Sequence, residues 1–198
     1  METQKKSGLK ERFFSSPTLQ GQSQSRKIAY IAVLTALIAS ANMFFEFKFA
    51  DVQFSLTIFI SALVGLVIGP VFGFCACFLG DLVGFLYNSG GFTYMPWIGI
   101  SMGLVAFISG VVVGVRSERS WFLYVKLTFV CISTFLICTV AINTTAFWLL
   151  YSKVDYWTYL TTRLFIQGQI WNSLVNYALL FFAVPALNRV KPLKIRIK

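Results

Sequence analysis

The chain has 198 residues, of which 57% are hydrophobic and only 12% are charged. Soluble domains carry about 25% charged residues, so this composition excludes an ordinary soluble protein and indicates an integral membrane protein. The net charge of +10 lies mostly at the two ends of the chain. In that position it indicates membrane topology and attraction to the anionic lipid bilayer, and it argues against nucleic-acid binding.

The first segment, residues 1–25, is rich in Gln, Ser and Lys and has no apolar core long enough for a secretory signal. We expect it to be a disordered cytoplasmic tail. The first apolar stretch, Ile28–Phe45, gives 18 uncharged residues between Lys27 and Glu46. A membrane-spanning helix needs about 20 such residues, so this stretch predicts the first span.

Further apolar stretches follow along the chain. Gly69 and Pro70 divide a long apolar run that starts at Val52 into two short helices, of which the second continues to about Tyr87. The remaining stretches are Pro96–Val115, roughly Leu127–Tyr151, and Leu164–Leu187. The sequence therefore predicts an all-α integral membrane protein with six transmembrane helices in a domain at 26–190, followed by a basic cytoplasmic tail at 191–198.

Basic residues predict which side of the membrane each loop occupies. Thirteen of the seventeen Lys and Arg residues lie at 1–27, at 189–198 or in the connection Arg116–Arg119. Because cytoplasmic segments carry the excess of Lys and Arg, both termini are predicted to be cytoplasmic. The loops after the first, third and fifth helices then face outward.

Small residues repeat along the first helix, where Ala32, Ala36 and Ser40 are four residues apart and share one face. In lipid, small residues at this spacing allow a second helix to approach closely. This face is interpreted either as a packing surface for the protein's own helices or as a docking surface for a partner helix.

Asp81 is the only charged residue between Val52 and Val115. A carboxylate inside a membrane has to pair, take up a proton or face water. Asp81 is therefore interpreted as a structural anchor, a ligand contact or a site for a coupling ion. Gly80 and Gly84 beside it would let neighbouring helices approach closely enough to hydrogen-bond with it.

Aromatic residues concentrate at the predicted outer rim, where they are typical of an interfacial belt or of a surface that stacks on a planar ligand. At 100° per residue, Arg163 and Gln167 share one face of the sixth helix. Arg163 either extends to the interface or faces an outward-open cavity with Gln167. Asn143 fits the same cavity or an interhelical hydrogen bond. A second polar stripe of the sixth helix, on nearly the opposite side, consists of Gln169, Asn172 and Asn176.

The sequence is poor in the residues that catalysis and metal binding require. It contains no His, only seven acidic residues without a cluster, and four Cys that lie within apolar runs. The sequence therefore lacks the side chains that a zinc site or acid–base catalysis requires. We expect no metal, no cofactor on this chain and no enzymatic activity.

These features together resemble the substrate-binding S components of energy-coupling-factor (ECF) vitamin importers. The resemblance covers about Arg26–Val190 and consists of weak motifs in the right order. Gly65-x-x-x-Gly69-Pro70-x-x-Gly73 is similar to the family's connection between helices 2 and 3. The resemblance implies that Ala32, Ala36 and Ser40 form the docking face for the transmembrane T component.

Among the subfamilies, the folate-type components are most similar, through Gly80–Gly84, Ser89–Phe92 with Pro96, Asn143–Trp148 and Thr162-Arg163. The chain departs from them at Asn42–Phe45, where they carry an Arg. The resemblance implies a folate-like vitamin ligand, and cobalamin, pantothenate, a thiamine precursor or a queuosine precursor remain alternatives. The residues expected to bind it are Lys48, Asn88, Phe92, Tyr94, Trp97, Asn143, Trp148, Arg163 and Gln167.

The implied mechanism divides the work among several subunits. The chain has no phosphate-binding loop of the Gly-x-x-x-x-Gly-Lys-Ser/Thr type, so ATP and Mg²⁺ would belong to two partner ATPase subunits. The S component would capture its ligand outside a bacterial plasma membrane and deliver it inward after docking to the T component. A stand-alone secondary transporter that uses Asp81 for a proton or sodium ion is the alternative.

Overall fold

The computed structural model describes residues 16, 19, 22–44, 46–49, 52–87, 93–114 and 120–189. The helices are named α1 to α8 and π1 to π2 and the strands β1 and β2, in chain order. Their bounds are α1 Gln24–Phe44, β1 Glu46–Phe49, β2 Val52–Ser55, α2 Thr57–Ile68, α3 Pro70–Tyr87, α4 Pro96–Gly114, α5 Ser120–Thr134, π1 Phe135–Thr144, α6 Thr145–Tyr151, α7 Tyr156–Thr161, π2 Thr162–Ile166 and α8 Gln169–Arg189.

Five apolar helical stretches in the described residues are long enough to cross a membrane: α1, α3, α4, the continuous α5–π1–α6 and α8. Their outer surfaces expose large apolar side chains such as Leu86 and Phe182, which are 71% and 79% exposed. Such a surface is stable in lipid and not in water. The prediction of a membrane protein built from apolar helices is confirmed.

The predicted second span is shorter than expected. Helix α2 has 12 residues and is about 18 Å long, which is less than the roughly 30 Å of a bilayer's hydrocarbon core. Most of its side chains are buried among the other helices. The count of six complete spans therefore stays a prediction.

The all-α fold class is confirmed, and a β-hairpin that the sequence analysis did not predict occupies the segment before α2. Strands β1 and β2 are antiparallel, with Phe47 opposite Phe54 and Lys48 opposite Gln53. The sequence alternates polar and apolar residues on both sides of a two-residue connection, which is the pattern of a hairpin. The predicted second span had included β2, because its residues are uncharged.

The sixth span was predicted as one continuous helix, and this prediction is wrong. Helix α7 continues into the π-helical turn π2. The helical conformation is then interrupted at Gly168, before α8 begins. Gly168 has a φ of 70°, a left-handed conformation that glycine adopts without the steric cost of a Cβ atom. This break changes the direction of the side chains on either side of it.

Helix α3 lies directly against α1. A Cβ atom placed on Gly80 would lie 2.7 Å from the Cβ atom of Ile38, so only glycine permits this approach. Ile38 belongs to a buried cluster that also contains Ile68 and Ala76, and it joins α1, α2 and α3. A second cluster, which includes Leu66, Leu127 and Leu180, joins α2, α5 and α8.

Two residues of the N-terminal segment depart from the expectation of a disordered tail. Ser16 is buried and donates its backbone N–H to the carbonyl of Ile68 at 3.1 Å. Leu19 is 0% exposed and belongs to the same cluster as Ile38. Helix α1 begins at Gln24, also inside that segment. The domain limits themselves remain a prediction.

Candidate ligand site

A cavity of about 160 Å³ lies among β2, α2, α4, π1, α6, π2 and α8. Apolar side chains, among them Met102, Val105 and Phe147, line part of it. A few converging polar groups on an otherwise apolar wall are typical of small-molecule sites. The polar lining residues are Ser55, Thr57, Ser101, Thr134, Thr139, Asn143, Arg163, Gln169, Asn172 and Tyr177.

Arg163 brings a positive charge to this cavity. It lies in π2, is 8% exposed, and places its guanidinium carbon 4.3 Å from the centre of the Phe147 ring. A guanidinium over an aromatic face is attracted by the electrons of the ring. Its Nε–H has no hydrogen-bond partner among the described residues, so this donor remains available to a ligand.

Asn143 presents a complementary acceptor. Its Nδ2 donates to the Ser101 hydroxyl at 3.1 Å, and that hydroxyl donates in turn to the carbonyl of Cys138 at 3.5 Å. Because Ser101 uses its proton on Cys138, Asn143 has to offer it the amide N–H₂, which leaves Oδ1 without a partner in the described structure. Asn143 lies in π1, and π-helical turns are frequent at functional sites.

Asn172 and Asn176 connect α8 to the hairpin and α2. The Asn172 Oδ1 accepts from the Ser55 N–H at 3.0 Å, and the Asn176 Oδ1 accepts from the Phe59 N–H at 2.9 Å. Asn176 also donates to the Ser55 carbonyl at 2.7 Å. These bonds satisfy backbone groups at the start of α2, which would otherwise be unpaired in an apolar setting.

The placement of the second polar stripe opposite Arg163 is wrong. Gln169 and Asn172 line the same cavity as Arg163, because the break at Gly168 interrupts the helical periodicity on which the prediction depended. Gln167 directly follows π2 and is not among the lining residues, so its predicted pairing with Arg163 in the cavity is not found.

The remaining predicted ligand residues lie in several places. Trp97 packs edge-on against Phe147 at 6.5 Å between ring centres, although it does not line the cavity itself. Trp148 donates its indole N–H to the carbonyl of Val154 at 2.8 Å and packs against Tyr156. Lys48 lies in β1, and Asn88 and Phe92 lie outside the described residues.

The sequence analysis did not assign several of the lining residues to the ligand site, notably Ser55, Ser101, Phe147, Gln169 and Asn172. The alternation of the hairpin could have placed Ser55, and Gly168 could have indicated that Gln169 and Asn172 turn toward Arg163. Ser101 and Phe147 carry no signal in a single sequence, because one hydroxyl and one aromatic ring are ordinary residues of a membrane helix.

Asp81 lies outside the cavity lining and takes part in a buried network. Asn42 on α1 donates to its Oδ1 at 3.1 Å, and Tyr94 donates to its Oδ2 at 3.1 Å. Both of these donors are side chains, whereas the flanking glycines had suggested the backbone of neighbouring helices. Of the three interpretations of Asp81, this geometry supports the structural anchor.

The small-residue face of α1 is not covered by the helices described. Ala32 and Ala36 are exposed, and Ser40 is half-buried. The buried residues of α1 are confined to its last third, at Ile38, Ala39 and Ala41. Internal packing therefore does not explain Ala32 and Ala36.

Comparison with known proteins gives a consistent result at the level of the family. The profile of the family described as "ECF-type riboflavin transporter, S component" matches residues 22–190. No functionally curated protein matches the sequence.

Two solved structures share the fold. One, described as FolT bound with folic acid, is 18% identical with a TM-score of 0.66, over 83% of this chain and 96% of that one. The other, the S component of a bacterial ECF transporter, is 17% identical with a TM-score of 0.51, over 85% of this chain and 100% of that one. The profile spans most of the chain and the fold agrees with it; the protein belongs to the family of S components of ECF-type riboflavin transporters.

Proposed function

We propose that this chain captures riboflavin, or a closely related uncharged flavin, at the outer face of the membrane. The observation that carries the proposal is the pair of unpartnered polar atoms in the cavity, the donor Nε of Arg163 and the acceptor Oδ1 of Asn143. The description of the matched family supports the same ligand.

Membership of the family defines which functions belong to this chain and which belong to its partner subunits. An S component is a substrate-binding subunit in a bacterial membrane, is not an enzyme and carries no cofactor. ATP is hydrolysed by partner ATPases, and the T component joins them to the S component. This chain therefore contributes ligand recognition to a vitamin importer.

The two atoms complement the edge of a flavin ring. That edge presents an N–H between two carbonyls, so the N–H matches the Asn143 oxygen and a carbonyl matches the Arg163 N–H. A buried polar atom left unpaired costs about 1–3 kcal/mol, and a ligand that satisfies both atoms removes this cost. The aromatic rings of Phe147 and Trp97 lie beside this pair and supply apolar surface for the flat faces of the ring.

The charge of the cavity favours riboflavin over folate. Within the described residues, Arg163 is the one charged side chain of the lining. Folate carries two carboxylates, and a charge taken out of water without a partner is costly. An uncharged vitamin needs no second cation. Folate, the ligand that the sequence resemblance had implied, is therefore the second candidate.

The size of the cavity indicates that it has to widen on binding. Its volume of about 160 Å³ is smaller than the roughly 300–1,000 Å³ of typical small-molecule pockets. Residues of π1 and π2 contribute to its lining, and π-helical turns are rare and occur frequently at functional sites. A change in these two turns is the proposed route to a ligand-bound cavity.

Titration calorimetry of the detergent-purified chain tests the proposal. Riboflavin should bind with one site per chain and lose its own fluorescence on binding, whereas folic acid should bind far more weakly. Mass spectrometry of the small molecule that co-purifies with the chain provides an independent identification. Tight binding of folic acid with no binding of riboflavin would contradict the assignment and favour the second candidate.

The geometry does not favour a stand-alone secondary transporter. That function needs Asp81 at an ion site, yet Asp81 is hydrogen-bonded to Asn42 and Tyr94 outside the cavity lining. Vesicles that contain only this chain should therefore show no riboflavin accumulation when a proton or sodium gradient is imposed. Gradient-driven accumulation would reinstate the alternative.

A further inference from the structure

Helix α1 has little to hold its cytoplasmic half. No side chain between residues 24 and 37 is buried, and Ile28 and Val33 on this half are largely exposed. Ile31 and Leu34 are only partly buried against the cluster shared by α1, α2 and α3. A helix gains its position in a fold mainly from tertiary packing, and on this half of α1 partly buried residues supply it.

The chain before α1 supplies the missing contact. Ser16 donates its backbone N–H to the carbonyl of Ile68 and its hydroxyl to the carbonyl of Val67. These carbonyls belong to the last turn of α2, where a helix leaves its C=O groups without internal partners. Ser16 therefore caps α2 from a distant part of the sequence.

Leu19 completes the same attachment. It is fully buried in the cluster against which Ile31 and Leu34 pack. Its N–H donates to the Ser16 carbonyl, and its own carbonyl accepts from the Gln22 N–H. The described contacts of Ser16, Leu19 and Gln22 thus lie between the capped end of α2 and the start of α1 at Gln24.

We propose that Ser16 and Leu19 form a strap that fixes the cytoplasmic half of α1 against α2, and that this position is required for assembly with the T component. Ser16 and Leu19 precede residues 22–190, which are matched by the family profile. The strap sits at the start of the helix that exposes Ala32 and Ala36. The assembly part of the inference rests on the proposed function, whereas the fixing of α1 does not.

Hydrogen–deuterium exchange on the full chain in lipid nanodiscs tests the strap directly. Leu19→Ala should increase exchange in residues 22–34 by about tenfold or more, since a buried leucine makes a large contribution to the stability of its contacts. Ser16→Ala should increase it by a smaller factor. Ser25→Ala is the matched control, because Ser25 is exposed within the first turn of α1 and alanine favours the helix there. It should not increase exchange.

The same variants are then co-expressed with the T component and both ATPases of the source organism. We expect Leu19→Ala to reduce recovery of the assembled complex while the isolated chain keeps its riboflavin affinity. Unchanged exchange in residues 22–34, or an increase spread evenly over all helices, would overturn the strap. Faster exchange with full recovery of the complex would overturn its role in assembly. If Leu19→Ala does not fold, the comparison of Ser16→Ala with Ser25→Ala decides both points.

Failure of the proposed function would look different. A chain that binds no riboflavin could still show the exchange changes, and a chain that binds riboflavin normally could show none. Ligand titration of the unmodified chain, together with the exchange of the variants relative to it, therefore separates the two outcomes.

Discussion

The Tyr94 hydroxyl donates a hydrogen bond to Oδ2 of Asp81 at 3.1 Å, and this bond joins the segment before α4 to the middle of α3. Burial, together with the charge of Asp81, raises the pKa of Tyr94 to about 12, so the phenol keeps its proton at neutral pH. The second carboxylate oxygen accepts from Asn42 on α1 at 3.1 Å. Asp81 therefore links α1, α3 and the segment before α4.

Asp81→Asn should lower the stability of the protein and leave its ligand affinity nearly unchanged. An amide can accept one of the two hydrogen bonds well but not both with full strength, and bonds to charged groups are worth about 1.5–3 kcal/mol. We expect a lower yield of folded protein and a lower Tm in detergent. Tyr94→Phe should show a smaller decrease of the same kind, because it removes one of the bonds.

Calorimetric titration of the surviving protein with riboflavin provides the check. A large loss of affinity in a well-folded Asp81→Asn protein would make Asp81 a ligand contact and contradict its role as an anchor. Asp155→Asn is a suitable control, since Asp155 is an exposed carboxylate that caps α7.

Arg163→Ala should weaken riboflavin binding about 10- to 150-fold. A charge-assisted hydrogen bond contributes about 1.5–3 kcal/mol, and about 1.4 kcal/mol corresponds to a factor of ten. Arg163→Lys should retain part of the affinity, because an ammonium keeps the charge but lacks the planar fork of donors. Arg26→Ala removes an exposed arginine from the start of α1 and serves as the control. Wild-type affinity in Arg163→Ala would remove this residue from the site.

Site residues could be predicted from the sequence where the residue type itself is informative, and not where their position depends on a turn of the backbone. Arg163 and Asn143 were found because a charged or amide side chain within an apolar stretch is conspicuous in a single sequence. Gln169 and Asn172 were assigned to the wrong side, because helical periodicity was extended through Gly168. Their position depends on one backbone angle that composition does not report.

The fold, too, could be predicted in part from the sequence. The apolar helices were predicted because the length of a bilayer and its lack of water constrain the sequence strongly. The hairpin at 46–55 was missed because its uncharged second strand was counted as part of a span. The attachment of Ser16 and Leu19 could not be predicted, because it depends on free carbonyl groups at the end of α2, more than 45 residues away in sequence.

Gly168→Val should weaken binding by disturbing the turn that brings Gln169 and Asn172 to the cavity. A residue with a Cβ atom in the left-handed conformation costs about 1–2 kcal/mol, and a β-branched residue is especially unfavourable. Gly168→Asn is the matched variant, because asparagine tolerates this conformation. We expect the asparagine variant to bind riboflavin more tightly than the valine variant. Equal affinity in both would show that the turn does not determine the site.

Cysteine labelling should establish the predicted topology. In a background without native cysteines, Lys194→Cys should react with a membrane-impermeant maleimide only from the cytoplasmic side. Lys153→Cys, in the exposed connection between α6 and α7, should react only from outside. The positive-inside rule gives both expectations. Labelling of position 194 in intact cells would invert the orientation of the chain and move the cavity to the wrong side for capture.

Ala32→Trp or Ala36→Trp should leave riboflavin binding by the isolated chain intact and abolish uptake by the assembled importer. Both alanines are exposed on α1, and small residues at this spacing allow a second helix to approach closely in lipid. An indole at either position would hold a partner helix several ångströms away. Ala178→Trp places the same bulk on the exposed surface of α8, and it should leave uptake unchanged. Vitamin uptake is measured in cells that express the complete importer, and binding is measured by calorimetry on the purified chain. If uptake survived both α1 substitutions, the partner would have to dock elsewhere; if binding were lost with it, the substitutions would have disturbed the fold and not the docking surface.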